Sequence, residues 1–272
     1  MKDVIMEMQD LRHLVWTKTR KSSGTAGSFL KSYDDTGEKK RYYKLSDYDP
    51  AHGIVGHECV NEIITQRLLT ILSIPHLTYR LLHADVLVEG KEYVTYLCES
   101  DDFKSDNESK VALEDYFAME RRENESPFDF CLRMGWEEEI YAMLVIDFLI
   151  LNRDRHGANT EVLLDRKKQT IRQAPLFDHG LSFVCRCQRA EELETFDVMS
   201  DLKVQAFVGS RSTFENIRLV PKSFLKGLPS ITDRDLDKVF AGLEGILEAA
   251  WFDKIREMIS RRWSYIDSLR NS

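Results

Sequence analysis

The sequence predicts an α+β chain in two lobes, a small strand-rich lobe over residues 1–100 and a larger helical lobe over residues 101–272. Three observations predict it. Short segments rich in β-branched and aromatic residues, separated by turn-like clusters, crowd the first hundred residues. Amphipathic or wholly apolar helical patterns dominate the second part of the chain. A polar acidic run, DDFKSDNESK at 101–110, stands between them and reads as a connector or exposed loop. Two such lobes enclose a cleft, where ligands prefer to bind.

In the first lobe, Arg41–Leu45 (RYYKL), Leu77–Val88 and Tyr93–Cys98 (YVTYLC) read as strands, with turns at Asp34–Gly37 and Glu89–Lys91. One helix interrupts them. From His57 to Leu72, the residues Val60, Ile63, Ile64, Leu68, Ile71 and Leu72 fall on one helical face, and Pro75 stops the run. In the second lobe, Glu137–Leu151 is apolar nearly all round and predicts a buried central helix. Thr160–Asp165 and Thr170–Phe177, joined by Arg166–Gln169, read as a β-hairpin. Thr232–Asp235 has the spacing of a capping box before a helix over Leu236–Leu247, with Asp in place of the usual Glu, and Asp253–Leu269 supplies a last amphipathic helix.

Composition excludes several classes. The 272 residues carry 46 acidic and 38 basic side chains, a net charge of −8. That balance argues against direct binding along a nucleic-acid backbone. The longest apolar stretch, Tyr141–Leu151, is broken by Asp147 and falls short of the ~18–20 residues a bilayer needs, so no membrane span is expected. The five cysteines are odd in number and lack paired Cys-x-x-Cys motifs, which indicates neither a disulfide framework nor a structural zinc site. The N-terminus, MKDVIMEMQD, carries acids where a signal peptide needs a basic start and an apolar run; the expected compartment is the reducing cytoplasm.

The chemistry concentrates after the buried helix, in Asn152-Arg153-Asp154-Arg155-His156-Gly157-Ala158-Asn159. An Asp followed five positions later by an Asn is the spacing of a phosphoryl-transfer loop: the carboxylate orients an attacking hydroxyl and the amide oxygen holds a magnesium ion. With its turn centred near Lys168, the following hairpin brings residue 159 opposite 177–178. Asp178 of Phe177-Asp178-His179-Gly180 then converges with Asn159 on one cation, and such oxygen ligands suit Mg2+. Upstream, Ser22-Ser23-Gly24-Thr25-Ala26-Gly27-Ser28 is a small, hydroxyl-rich segment whose backbone N–H groups could cradle phosphates, although taken alone it reads more simply as a turn. Lys44 lies on a strand from which it could reach those phosphates. Glu62 on the next helix could pair with Lys44, Glu58 one turn earlier competes, and either alone reads as exposed helix surface. The stretch Gln205–Asn216 reads as a surface loop or a substrate-facing one. His57, His76 and His83 are read as structural.

The order SSGTAGSF, YYKL, HECVNEI, YLCES, NRDRHGAN and APLFDHG resembles the HipA-like serine/threonine kinases, from about Thr19 to Phe183. The resemblance implies a two-lobed protein-kinase-like fold and transfer of the γ-phosphoryl group of ATP, with Mg2+, to a protein hydroxyl. It implies Asp154 as catalytic base and Asn159 and Asp178 as metal ligands. The ATP site it implies comprises Gly24, Thr25, Ala26, Gly27, Ser28, Lys44, Glu62 and His156, with a hinge at Glu99, Ser100 and Asp101. It also implies autophosphorylation in the glycine-rich segment, at Ser22, Ser23, Thr25 or Ser28, and an antitoxin-like regulatory partner. The chain departs from larger members in having only about twenty residues before the glycine-rich segment, where they carry a further N-terminal domain. Two rivals stay open. Asp154-Arg155-His156 with Asn159 also resembles the catalytic loop of phosphatidylinositol kinases, and a nucleotide-binding pseudokinase would share most of these residues.

Overall fold

The computed structural model describes residues 3–17, 29–37 and 39–272. The segment Ser22–Ser28, with every glycine-loop and autophosphorylation position expected there, lies outside the described residues. The strands before residue 102 are, in chain order, β1 (Val4–Asp10), β2 (Lys31–Asp34), β3 (Arg41–Lys44), the arms β4 (Tyr48–Asp49) and β5 (Gly53–Ile54) of a small hairpin, and, after helix α1 (Glu58–Ile71), the long strands β6 (Tyr79–Val88) and β7 (Lys91–Asp101); of these, β3, β6 and β7 are the ones the sequence pattern predicts. The main sheet has the order β1-β6-β7-β3-β2, with β1 parallel to β6 and the other pairs antiparallel. Glu89 (φ 50) and Gly90 (φ 81) make the two-residue turn between β6 and β7, both in the left-handed region that a tight hairpin of this twist requires. β1 is a strand the pattern hid: it lies at the sheet edge with Met6 and Met8 exposed, so no alternation marks it.

Alternation along β6 divides the apolar side chains between two cores. Leu82, Ala84, Val86 and Val88 face a small cluster with Tyr43, Leu45 and Leu97, while Tyr79 and Leu81 face α1 and the main core. That main core runs without a break from α1 into the helices after residue 101. Helix α1 stops before Pro75 rather than at it, because Ser73 turns left-handed at φ 58. Its polar positions are not an exposed surface, as the pattern had implied. Glu58, Asn61, Glu62, Thr65 and Gln66 are buried alongside the apolar stripe, because α1 is covered on more than one side.

His57 precedes α1 without making a side-chain cap. Burial pushes its imidazole from the ordinary 6.5 down to about 4. The unfolded chain therefore binds a proton that the native state refuses in that window. Stability from this group is intact above pH 6.5 and falls as the pH drops toward 4, by about 3 kcal/mol at the acid end. Denaturant midpoints of wild type and His57→Gln at pH 7.0 and 4.5 check this: the wild type should lose more, by that margin.

Beyond the sheet come β8 (Glu108–Ala112), α2 (Leu113–Glu120), α3 (Pro127–Arg133), α4 (Glu137–Leu149), β9 (Asp154–Arg155), β10 (Glu161–Asp165) and β11 (Thr170–Gln173). The run at 101–110 is thus only partly a connector: Asp101 ends β7 and Glu108 begins β8, which pairs antiparallel with β10 as the third strand of the hairpin's sheet. The hairpin register, Asp165 opposite Thr170 and Val162 opposite Gln173, matches the expected turn. Its second arm ends four residues early, because Pro175 has no N–H for the ladder and Leu176 bonds instead to Leu77 (Leu77 N to Leu176 O, 2.8 Å).

The remaining elements are α5 (Ala190–Thr195), β12 (Gln205–Ala206), α6 (Thr213–Ile217), α7 (Lys222–Gly227), α8 (Asp233–Phe240) and α9 (Ala249–Asn271). The stretch Gln205–Asn216 is therefore not a plain loop: β12 pairs parallel with β9 and α6 follows. The capping box forms, with Thr232 and Asp235 bonding each other's backbone N–H. Helix α8 nonetheless ends at Phe240, short of Leu247, because Gly242 and Gly245 adopt φ 76 and 80. Arg262 of α9 is fully buried and donates to the carbonyls of Phe148 (2.9 Å), Val198 (2.8 Å) and Ser200 (2.9 Å), fastening the end of α4 to the loop before β12. Among the described residues, no helix is long and apolar enough to cross a membrane, and all five cysteines are free.

Candidate active site

Helix α4 delivers the candidate catalytic loop. Leu151 turns left-handed (φ 50) just past the helix end and sends the chain back across it. Asp147, in the last turn of α4, is a buried carboxylate. It accepts from Asn152 Nδ2 (2.8 Å) and from Arg155 Nε (2.9 Å to Oδ2) and Nη2 (2.9 Å to Oδ1). Arg155 Nη1 donates onward to the carbonyls of Asn159 (3.0 Å) and Phe177 (3.1 Å). One guanidinium thus bolts α4, the loop and the residue before Asp178 together. Arg155 and Asp147 were not singled out from the sequence. Their signal was the one charge in the apolar run 141–151, which a soluble core tolerates only when paired.

Around that bolt the loop closes on itself. Asn152 Oδ1 accepts from Asp154 N (3.2 Å). Asn159 Nδ2 donates to the Asp154 carbonyl (2.9 Å) and to Asp154 Oδ2 (3.3 Å). His156 Nδ1 accepts from Ala158 N (3.2 Å), and its Nε2 lies 3.6 Å from Asp154 Oδ1. Asp154, His156 and Asn159 therefore form one connected set, with the carboxylate partly open to solvent.

A second set forms under the sheet. Lys44, at the end of β3, donates to Glu62 Oε1 (2.9 Å) and Asp178 Oδ1 (2.5 Å). Lys31 of β2 lies 3.5 Å from Asp178 Oδ2. Glu62, completely buried, also accepts from His179 N (2.9 Å) and Gly180 N (3.1 Å), and Asn61 Nδ2 donates to Gly180 O (2.8 Å). The competition between the glutamates resolves for Glu62: Glu58 turns away to accept from Asp47 N (3.0 Å), and burial raises its carboxyl above the ordinary range. Burial favours the neutral amine of Lys44, but Asp178 and Glu62 together outweigh it and hold the ammonium well above the ordinary lysine value. Burial likewise opposes the Glu62 charge, and Lys44 with His179 overcomes it, so Glu62 stays below the ordinary carboxylate range. The Lys44 contribution is present below the ordinary lysine pKa and is lost only as pH rises through its raised value. The Glu62 contribution is present above the ordinary carboxylate pKa and is lost as pH falls through its lowered one. The pair is therefore charged throughout the neutral range.

Asp178 itself sits at φ 59, a left-handed position for a non-glycine residue, and its N–H donates to Tyr79 Oη (3.2 Å). Gly180 is required by space: a Cβ there would lie 2.9 Å from Glu58 Cβ and 3.2 Å from Lys44 Nζ. Gly180→Ala is expected to destabilise the protein by about 1–3 kcal/mol through this overpacking, read as a lowered thermal midpoint.

Glu99, Ser100 and Asp101 belong to β7, opposite Tyr43, Tyr42 and Arg41 of β3, so the strand continues through the expected hinge. Glu99 is ion-paired with Arg80 and Arg41 rather than with a residue of either set. The three residues line a cleft of about 450 Å³ with His76, Arg80 and Phe103.

Among the described residues, no group of three or more His, Cys, Asp or Glu could hold a metal ion. A cation would rest on the Asp178 carboxylate and the Asn159 amide oxygen, since the amide nitrogen is engaged by Asp154. Two hard oxygen donors fit magnesium, which usually completes its shell with water and substrate phosphates.

No protein-family model matches the chain, and no curated protein does. Solved structures do. The proinflammatory kinase CtkA of Helicobacter pylori is similar with a TM-score of 0.64 at 14% identity, over 96% of this chain and 96% of that one. HipA of Shewanella oneidensis MR-1, solved with HipB and its operator DNA, is similar with a TM-score of 0.52 at 15% identity, over 92% of this chain and 67% of that one. At such identities the likeness speaks for architecture: this chain has the α+β fold of the HipA-like kinases.

Proposed function

We propose that this chain is a serine/threonine protein kinase that uses ATP and Mg2+. One observation carries the reading. The Lys44–Glu62–Asp178 set and the Asp154–Asn159 set are joined through Arg155, in a chain with the HipA-like kinase fold. Magnesium bound at Asn159 and Asp178 would neutralise charge on the transferring phosphate. Asp154 orients the acceptor hydroxyl and takes up its proton. His156 stands beside that carboxylate and supports its orientation. Lys44, aimed by Glu62, holds the nucleotide phosphates. Catalysis of this kind is chiefly positioning and charge stabilisation.

The finer parts of the reading rest on the same resemblance. The hinge at Glu99–Asp101 would read adenine, and the 22–28 segment would cover the phosphates and carry an autophosphorylation site at Ser22, Ser23, Thr25 or Ser28. The compartment would be the cytoplasm. HipA was solved with HipB, and a regulatory protein of that antitoxin kind is proposed for this chain.

Nucleotide binding tests the site. Mg-ATP at a hundred times its dissociation constant should raise the thermal midpoint by roughly 5–10 °C. Lys44→Met should remove most of that rise. A rise of equal size in the variant, or none in the wild type, would contradict the assignment.

A further inference from the structure

The stretch Gln205–Asn216 belongs to neither set, yet it lies against the candidate catalytic loop. Gln205 N donates to Arg153 O (3.0 Å) and Phe207 N to Arg155 O (2.9 Å), so the two bonds bracket Asp154. In that register Gln205 is the partner of Asp154, and Ala206 is the partner of Arg155. Paired residues on neighbouring strands point their side chains to one face, and successive residues alternate. Asp154 and the exposed Gln205 therefore share the open face, while Arg155 turns into the core. Lys203, two residues before Gln205, is exposed on that same face, with Val204 buried between them. Val204 N donates to Arg211 O (3.0 Å), which folds Arg211, also exposed, back beside it. Asn216 fixes the return of this arm: its Oδ1 accepts from Ser210 N (2.7 Å) and its Nδ2 donates to Ser210 O (2.9 Å). From Lys203 to Arg211 the chain carries two cations and no anion, in a molecule of net charge −8. Neither cation makes a side-chain hydrogen bond or an ion pair among the described residues. The acids that flank the arm in sequence, Asp201 and Glu215, are engaged elsewhere, accepting from Ser212 Oγ (2.5 Å) and Ser210 Oγ (2.6 Å).

A polypeptide whose hydroxyl reaches Asp154 passes over this arm. Two residues of extended chain span about 6.6 Å, so side chains a few positions from the hydroxyl come within reach of Lys203. Exposed cations beside the path attract carboxylates and repel other cations. We infer that the arm Lys203–Arg211 selects acceptor segments carrying Asp or Glu within a few residues of the target serine or threonine, a specificity that rests on the protein-kinase reading and adds a substrate class to it.

Serine peptides of equal length, with glutamate, alanine or lysine on both sides of the serine, test this specificity with Mg-ATP at low ionic strength. The glutamate peptide should show a kcat/KM roughly five-fold or more above the alanine peptide, with the lysine peptide below both. Lys203→Gln with Arg211→Gln should bring the three peptides to within about two-fold of one another, and Lys203→Glu with Arg211→Glu should reverse their order. Both double variants change exposed side chains and should keep the wild-type rise in thermal midpoint with Mg-ATP, which reports a folded chain with its nucleotide site intact. Equal turnover of the three peptides, a preference for the alanine or lysine peptide, or a glutamate preference that survives both double substitutions would overturn the specificity and leave the protein-kinase reading standing. Transfer to none of the peptides, with the Mg-ATP rise present, would overturn both.

Discussion

Asp154→Ala should lower phosphoryl transfer by about three orders of magnitude or more while moving the thermal midpoint by no more than about 2 °C. The contrast comes from where Asp154 sits. Its side chain is about one-quarter exposed and its carboxylate bonds only at 3.3 Å to Asn159 Nδ2, so the fold rests little on it. The stronger bond between those residues, Asn159 Nδ2 to the Asp154 carbonyl at 2.9 Å, survives the substitution. Turnover in parallel with a melting curve decides the matter. Retained activity would remove Asp154 from the chemistry, and a large fall in melting temperature would make it a structural residue.

Arg155→Met should act the opposite way, through the fold first. It removes the partner of a buried carboxylate and the donor to Asn159 O and Phe177 O. Leaving Asp147 buried and unpaired costs about 3–5 kcal/mol, roughly 10 °C in melting temperature for a chain of this size. The double variant Asp147→Leu, Arg155→Met should recover part of that stability, because no charge is then stranded. It should not recover activity, since Asn159 and Asp178 stay unfastened. Equal melting temperatures for the single and double variants would show that the buried pair is not what the substitution breaks.

The two residues illustrate what the sequence discloses. Asp154, Asn159 and Asp178 were legible as candidates because chemistry demands particular side chains at particular spacings, and because a hairpin's register is simple arithmetic: 165 opposite 170 is enough to bring 159 near 177. Lys44 and Glu62 were legible as candidates, but the choice of Glu62 over Glu58 depended on the rotation of α1 against the sheet, which residue types alone do not determine. Arg155 was hidden because its partners lie at positions 147, 159 and 177, two of them backbone carbonyls that carry no sequence signature. β1 was hidden because an exposed edge strand need not alternate. The end of α8 was visible in retrospect as Gly242, whose left-handed conformation outweighed the apolar residues beyond it.

Transfer of phosphate from ATP to protein is tested by incubation with γ-labelled ATP and magnesium, alone and with a soluble proteome, beside Asp154→Ala. Label on protein serine or threonine that disappears in the variant is the expected result. ATP bound without any transfer, label confined to a lipid or small molecule, or labelling that persists in Asp154→Ala would contradict it.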